Sequence, residues 1–144
     1  MKLSTRVRYG LRAMVELAKK KDRKPVPLRI LAENQGISTK YLEQMAAALK
    51  IAGLIESVRG AEGGYRLARP AGGITVLDIY NVLDVAGDPI DCYVTPCDRL
   101  DHCAMRELWA EMVTCLHKVL ASRTLQQLAN RENKLLKARK TTKK

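Results

Sequence analysis

The spacing of apolar residues at the start of the chain predicts three helices. The first stretch, from about Ser4 to Lys20, places its apolar residues on one helical face: Val7, Leu11, Met14, Val15 and Ala18. A second, shorter helical pattern begins at Leu28 and ends at Gly36, which suits a left-handed cap. Ser38 is a favourable N-cap for a third helix over residues 39–52. Two helices joined by a tight glycine turn are typical of a helix-turn-helix.

The pattern then becomes strand-like. The alternation predicts two short strands, over residues 54–59 and 65–69, separated by a glycine-rich turn, residues 60–64. Two strands around such a turn predict a β-hairpin. A hairpin that directly follows a helix-turn-helix is a wing, and Arg59 at its base is placed to enter a narrow minor groove.

Helical patterns return after Pro70. Thr75, with Asp78 three residues on, predicts a capping box at the start of a helix. Residues 105–128 then carry the longest helical pattern, with a broad apolar stripe: Met105, Leu108, Trp109, Met112, Leu116, Val119 and Leu120. The winged core covers part of such a stripe and the same helix of a second copy covers the rest, which predicts a two-fold dimer. Cys115 falls on this stripe, and we interpret it mainly as a core cysteine and secondarily as a ligand.

These elements predict a mainly α fold with a small β-hairpin, a winged helix-turn-helix domain plus a long C-terminal dimerisation helix. The DNA-binding domain is predicted over residues 1–72, and a linking helix with a cysteine-rich loop over 73–104. The dimerisation helix is predicted over 105–130 and a basic, disordered tail over 131–144. A length of 144 residues fits one domain with an appended helix.

The charge of the chain adds a polyanionic partner to this picture. The net charge is +11 and the pI is about 9.8, which favours nucleic acid. The tail holds seven Lys or Arg and one Glu, a net +6, so residues 1–130 carry the remaining +5. Such a run of basic residues is more often a solvated, disordered chain end. Non-specific contact with DNA is the alternative.

Other classes of protein are disfavoured by what the sequence lacks. No apolar run approaches the length of a membrane span, and the N-terminus leads into an amphipathic pattern rather than a secretory signal. We therefore expect a cytoplasmic protein with no membrane partner. His102 and His117 are the only histidines, and neither a nucleophile-and-base arrangement nor a nucleotide-binding glycine pattern accompanies them. We therefore expect no enzyme activity.

Three of the four cysteines, Cys92, Cys97 and Cys103, lie within twelve residues of one another. Polar potential ligands lie among them: Asp91, Asp98, Asp101 and His102. These neighbours argue against a buried core, and in a reducing cytosol clustered cysteines bind metal or do redox chemistry more often than they form disulfides. Thiolates hold both Fe–S clusters and Zn²⁺, but the C-x4-C-x5-C spacing matches neither paired CxxC knuckles nor ferredoxin runs. The partial positive charge at the start of the helix after Cys103 favours an anionic group there.

The helix that follows Ser38 carries the residue types of a DNA reader. The candidate DNA-contacting residues are Ser38, Thr39, Lys40, Tyr41, Glu43 and Gln44, with Arg59 in the wing. Short, hydrogen-bonding side chains at the start of a helix are what a major-groove reader needs. A plain solvated helix face is the alternative, because helix-turn-helix geometry also occurs in proteins that bind no DNA.

In combination these motifs resemble the iron–sulfur-cluster regulators of the IscR and NsrR type, a family of winged-helix repressors. The resemblance covers residues 1–128. It is carried by Met1-Lys2-Leu3-Ser4 with Tyr9 to Met14, by the segments 38–44, 53–60 and 63–65, and by the cysteine trio before a long helix. It implies a homodimer that binds a double-stranded DNA operator through the helix after Ser38 and through the wing. It also implies that Cys92, Cys97 and Cys103 ligate an iron–sulfur cluster, 2Fe–2S or 4Fe–4S, whose gain, loss or modification changes DNA binding.

The sequence departs from the pattern of that family in three places. The first cysteine spacing is x4 where many members have x5, and the wing has Ala61-Glu62 where a Pro-Gly pair is usual. Arg106 stands where IscR-like members place a His, and Arg8 where NsrR-like members use an Asp, so the fourth cluster ligand is unassigned. The substitutes available, from the same or the partner subunit, are His102, Asp98, Asp101, Glu107 and Cys115.

Two further functions fit parts of the sequence. A DNA-binding regulator could sense oxidant or sulfur species by direct cysteine chemistry, without a cluster and without a fourth ligand. Zinc is a third ligand that the same cysteines could bind. A non-DNA interaction or redox-carrier protein is the alternative from another class. A steep fall of DNA affinity with added salt separates a DNA binder from that last class.

Overall fold

A computed structural model describes residues 3–84, 97–99 and 101–141. Its helices are α1 Thr5–Ala18, α2 Leu28–Gln35, α3 Thr39–Ile51, α4 Val76–Leu83, α5 Ala104–Ala121 and α6 Leu125–Thr141. An antiparallel hairpin, β1 Ile55–Val58 and β2 Gly64–Leu67, lies between α3 and α4 in the chain. The predicted mainly α fold with a small β-hairpin is confirmed. No helix within the described residues is long and apolar enough to cross a membrane.

The helix-turn-helix forms where the local signals predict it. Ser38 Oγ accepts the backbone N–H of Tyr41 at 3.2 Å and so caps α3. Gly36 has φ 66°, a left-handed conformation that suits glycine, and it turns the chain between α2 and α3. The apolar sides of α1, α2 and α3 meet in one core, which includes Met14, Leu31 and Met45. Burial of these sides leaves the polar side of α3 facing water.

The wing is held against the start of α2 as well as paired within itself. Ile55 pairs with Leu67 at one end of the hairpin. Tyr65 exchanges two backbone hydrogen bonds of 2.9 Å with Val26, just before α2. A Cβ added at Gly64 would overlap the backbone of Val26, so this close approach requires glycine. The hairpin therefore has a fixed position beside the helix-turn-helix.

Helix α4 is capped at its start and packed closely on α1 at its end. The Thr75 hydroxyl accepts the Asp78 N–H at 3.1 Å, and the Asp78 carboxylate accepts the Thr75 N–H at 2.8 Å. This is the predicted capping box. Leu83 is fully buried, and its side chain occupies the space where Gly10 of α1 would otherwise carry a Cβ. The glycine thus permits α1 and α4 to approach closely.

The long C-terminal helical pattern forms two helices, so the prediction of one continuous helix is wrong. The chain breaks at residues 122–124, between α5 and α6. The backbone N–H of Val76 donates to the Arg123 carbonyl at 2.8 Å, and that of Leu125 donates to the Ile74 carbonyl at 2.9 Å. Because these bonds join the linker to the chain before α4, the break is fixed by tertiary structure.

Helix α6 belongs to the core, and the expectation of a disordered tail is wrong for residues 131–141. That segment is the second half of α6. Leu125 and Ala129 are 0% and 1% exposed. Lys19, which follows α1, forms an ion pair with Glu132 of α6 at 2.7 Å. The helix contains no Gly or Pro and is rich in Leu, Ala, Gln, Lys and Arg, which favour helices.

Candidate nucleic-acid interface and cysteine site

Helix α3 separates an apolar side from a polar side. Its buried residues, all at most 3% exposed, are Leu42, Met45, Ala46 and Leu49. The opposite side carries the predicted DNA-contacting residues Ser38, Thr39, Lys40, Glu43 and Gln44, all exposed, with Tyr41 half-buried at its edge. An exposed helix with hydroxyl, amide and ammonium groups near its N-terminus has the shape and hydrogen-bonding groups for a major groove. The structure thus places all six of these residues on one accessible surface.

The three arginines of the wing differ in their surroundings. Arg66 donates to Glu56 across the hairpin at 2.7 Å, and Arg69 donates to Asp78 at 3.3 Å. Arg59 is exposed and makes no ion pair with any residue that the structure describes. A guanidinium without an acidic partner is available for the strong negative potential of a narrow minor groove. The sequence treats the three as equally basic, and the structure distinguishes them.

A side-chain hydrogen bond joins α3 to the wing. Lys50 Nζ donates to Ser57 Oγ at 2.8 Å. The sequence does not predict this pair, because contacts between a helix and a following strand leave no mark in the periodicity. We call the exposed side of α3 together with the hairpin the reading head. Its two parts are fixed relative to each other by this bond and by their shared core.

Two of the three predicted cysteine ligands lie in the described part of the cysteine loop. Cys97 is exposed and Cys103 is half-buried, and both are free thiols. Cys92 and Asp91 lie outside the described residues. Cys103 occupies the N-cap position of α5, and its own side chain accepts no hydrogen bond from the first backbone N–H groups of the helix. These N–H groups and the aligned peptide dipoles favour an anionic group beside Cys103.

The candidates for a fourth ligand remain predictions. His102, Asp98, Asp101 and Glu107 are all exposed. Glu107 lies one helical turn after Cys103, which places the two residues on the same side of α5. Within the described ranges, no three His, Cys, Asp or Glu side chains are grouped to hold a metal ion. The described residues therefore fit a thiolate-ligated group in part, with two accessible sulfur donors.

Helix α5 exposes an apolar stripe, which we call the α5 stripe. Its members besides Cys115 are 41–60% exposed: Met105, Leu108, Met112 and Val119. Cys115 is exposed as well, so its interpretation as a core cysteine is wrong for the single chain. Leu116 and Leu120, at one edge of the stripe, pack against the core. Cys115 lies twelve positions after Cys103, which is about 18 Å along the helix, so the two sulfurs of one protomer cannot share a metal.

A family model matches most of the chain. The Rrf2 family, described as an iron-dependent transcriptional regulator, matches residues 3–131. The chain belongs to the Rrf2 family. The match covers the reading head, the cysteine loop and α5, and it ends within α6. The resemblance to regulators of the IscR type is thereby confirmed.

Two relatives of this Rrf2 protein are named as transcriptional regulators, CymR and IscR. The HTH-type transcriptional regulator CymR of Bacillus subtilis is 41% identical over 130 residues, which cover 90% of this chain and 91% of CymR. The HTH-type transcriptional regulator IscR of Xenorhabdus nematophila is 36% identical over 136 residues, 94% of this chain and 83% of IscR.

Two similar solved structures carry the same names. The B. subtilis CymR structure, described as the global cysteine regulator, has a TM-score of 0.77 at 40% identity and covers 90% of this chain and 97% of its own. The structure of T. potens IscR has a TM-score of 0.77 at 38% identity, with coverage of 92% and 88%. This Rrf2 protein is therefore a winged-helix transcriptional regulator and not an enzyme.

Proposed function

We propose that this Rrf2 regulator is a homodimer that binds a double-stranded DNA operator with two reading heads. The observation that carries the proposal is the polar side of α3 beside an exposed Arg59 that has no acidic partner among the described residues. In this arrangement α3 enters a major groove and Arg59 enters the neighbouring minor groove. A two-fold dimer then requires half-sites about one turn of DNA apart, or a multiple of it.

The α5 stripe supports the dimer. None of the 18 residues of α5 is buried in the single chain. The exposed apolar residues recur three and four positions apart, which is the pattern of a helix that packs on another helix. Because apolar surface is costly in water, self-complementary packing of two α5 helices about a two-fold axis stabilises the pair.

A charge in the α5 stripe tests the dimer. Met112→Glu should shift the protein from dimer to monomer in size-exclusion chromatography with light scattering, because a carboxylate would be buried without a partner. Thr114→Glu is the matched control, since it places the same charge on an exposed, off-stripe position of the same helix. Equal dimer populations in the two variants would contradict the assignment.

The DNA-binding proposal is tested without knowledge of the operator. Duplexes of about 40 base pairs, long enough for two half-sites and their flanks, are selected by binding from a random pool. The affinity of the protein for the selected duplex should then fall steeply with salt, because phosphate contacts release counterions. No selectable duplex, or a flat salt response, would count against DNA as the partner.

We further propose that Cys92, Cys97 and Cys103 hold an iron–sulfur cluster that controls operator binding. The support is the accessibility of Cys97, the position of Cys103 at the start of α5, and the IscR relatives and family description reported above. Such a cluster, when bound, supplies an anionic group whose charge and integrity respond to redox conditions. Cys103 is also the first residue before the helix that we assign to the dimer, so a ligand on its sulfur restrains the start of that helix.

The iron and acid-labile sulfide content of protein purified without oxygen tests the cluster, with a visible spectrum of the same sample. Cys103→Ala should lose iron and visible absorbance and change operator affinity. Cys115→Ala is the matched control, because that thiol lies about 18 Å further along α5. If Cys103→Ala binds the operator as the parent protein does, in both reduced and oxidised samples, the cysteine switch is refuted while DNA binding stands.

Direct thiol chemistry at the same loop is the second candidate. It is favoured by Arg106 and Arg8, which stand where the resembled regulators place a His or an Asp ligand. Two thiols such as those of Cys97 and Cys103 would form a disulfide, losing two protons and two electrons to a peroxide that is reduced to water. A mass loss of two hydrogens in iron-free protein, with altered operator affinity, would support this version. An unchanged mass after mild peroxide treatment would exclude it.

A further inference from the structure

We propose that the second half of α6 is a DNA-contacting surface that flanks the reading head at the end opposite to the wing. The surface consists of three cations at three-residue spacing that lie within about 120° of one another around the helix, which we call the α6 stripe: Arg131, Lys134 and Lys137. This inference rests on the proposed DNA binding and extends it along α6 from residue 131, where the family match ends. Its partner is the phosphate backbone next to the site that the reading head occupies.

Contacts along α6 show where this surface lies. Glu132 pairs with Lys19, near the end of α1, at 2.7 Å. One turn later, Leu136 lines a groove with Arg12 in the middle of α1 and Gln35 at the end of α2. The same groove is lined by Glu132, Lys19 and Asn34, so this part of α6 lies beside the second half of α1 and the last turn of α2.

The end of α2 is the end of the reading head that lies away from the wing. The wing is attached at the start of α2, through the two 2.9 Å hydrogen bonds between Val26 and Tyr65. Gln35, at the other end of α2, precedes the α3 cap Ser38 by three residues. The eight residues of α2 span about 12 Å. The wing and the part of α6 around Leu136 thus lie at opposite ends of α2.

The charge of this part of α6 is predominantly positive. From residue 131 to residue 141 the helix has five Lys or Arg and one acidic residue, Glu132, which is already paired with Lys19. Cations in the last turn are favoured by the helix dipole, so Arg139 and Lys140 have a local explanation. Arg131 and Lys134 lie before that turn, are exposed, and form no ion pair with any described residue.

Like charges at three-residue spacing repel one another along a helix. A bound polyanion would reduce this repulsion. DNA that is bound by the neighbouring reading head would supply such a polyanion in its phosphate backbone.

Two arginines of α1 continue the basic surface towards the reading head. Arg8 and Arg12 are exposed and lie over the Tyr9 ring, with their guanidinium carbons 5.6 and 5.7 Å from its centroid. Arg12 also lines the groove beside Leu136. Stacking on an aromatic ring orders the two side chains while leaving their N–H groups available to phosphate. Arg12 therefore adds positive charge to the groove that α6 borders at the end of α2.

The test neutralises two members of the α6 stripe. Lys134→Gln/Lys137→Gln keeps residues of good helix propensity, so the helix should persist in far-UV circular dichroism. The matched control is Lys118→Gln/Arg123→Gln, which removes the same charge from exposed positions at the end of α5 and in the linker. Both are titrated with salt on the duplex selected for the parent protein, and on that duplex trimmed to its protected core.

For the stripe variant we expect the slope of log affinity against log salt concentration to fall in magnitude by about two for each bound protomer. Two phosphate contacts are lost per protomer, and each contributes about 0.9 to the slope. The control and the trimmed duplex should show no such reduction. A stripe variant with the parent slope would overturn the inference while leaving the reading-head proposal intact, and so would equal losses in variant and control. If the parent protein binds no duplex at all, both proposals fail together.

Discussion

Truncation of Leu125 tests the assignment of α6 to the core. This side chain is 0% exposed, and the next turn of α6 buries Ala129 at 1% exposed. The backbone N–H of Leu125 donates to the Ile74 carbonyl at 2.9 Å, so the residue fixes the entry into the helix. Leu125→Ala removes buried methyl and methylene groups without removing any hydrogen-bonding group.

The expected loss of stability follows from burial and from the cavity that remains. Leu→Ala substitutions in well-packed cores cost about 2–5 kcal/mol, and the cost depends on how far the site collapses. Leu125 lies at the junction of a linker and a helix, where partial collapse is possible, so we expect about 3 kcal/mol. For a domain of this size each kcal/mol lowers Tm by about 2–4 °C, so the predicted fall is about 6–12 °C.

Leu135→Ala is the matched control, because it removes the same groups from a residue of α6 that is 51% exposed. Surface truncations of this kind change stability by about 0.5 kcal/mol or less. Thermal and urea unfolding are followed by circular dichroism at one protein concentration, since dimerisation makes Tm depend on concentration. Equal losses in the two variants would refute the reasoning that places Leu125 in the core.

Three further predictions concern the reading head. Ser38→Ala should cost about 1 kcal/mol through loss of the α3 cap, and Ser38→Thr should retain most of it, as measured by urea unfolding. Arg59→Ala should weaken binding to the selected duplex by about 1–3 kcal/mol, whereas Arg66→Ala, whose guanidinium is already paired with Glu56, should weaken it less. Gly64→Ala should cost more than about 1 kcal/mol, because φ is 152° and a Cβ would overlap Val26. Hydrogen exchange at the Val26 and Tyr65 amides would report the released wing, and Gly72→Ala, with no atoms near the added Cβ, is its control.

The elements predicted correctly from the sequence are those fixed by local chemistry. The turn at Gly36, the cap at Ser38 and the capping box of Thr75 and Asp78 each depend on residues within one turn of helix. The apolar period of α3 likewise determines which side is buried, so the accessible side could be predicted before the fold was known.

The break between α5 and α6 depends on contacts that no local pattern contains. The linker is fixed by hydrogen bonds to Ile74 and Val76, about fifty residues earlier in the chain. One local signal was nevertheless present. Gln127 donates its backbone N–H to Thr124 Oγ1 at 3.3 Å and accepts the Thr124 N–H at 3.0 Å, which is the T-x-x-Q form of a capping box. Reading that motif would have predicted the start of α6.

The residues that sequence analysis misjudged are those whose environment depends on a partner. Cys115 lies on an apolar stripe, which the sequence cannot distinguish from a core. The structure leaves this stripe exposed in the single chain, and in the proposed dimer a second copy would supply the packing that the pattern implies. In the same way, Arg66 and Arg69 are equivalent to Arg59 in sequence, and only the fold brings acidic partners to them.

The described elements provide a short physical route between the cysteine site and the reading head. Cys103 begins α5, and α5 packs on α4, where the rings of His117 and Tyr80 meet edge-to-face with centroids 6.3 Å apart. Helix α4 in turn packs on α1 at Gly10, where Leu83 fills the available space. Close-packed contacts of this kind transmit displacement rather than absorb it. Because α5 is also the helix that we assign to the dimer, a change at Cys103 would act on the distance between two reading heads. If the protein binds DNA as proposed, that distance must match the spacing of the half-sites, and small movements at the cysteine site would then alter operator affinity.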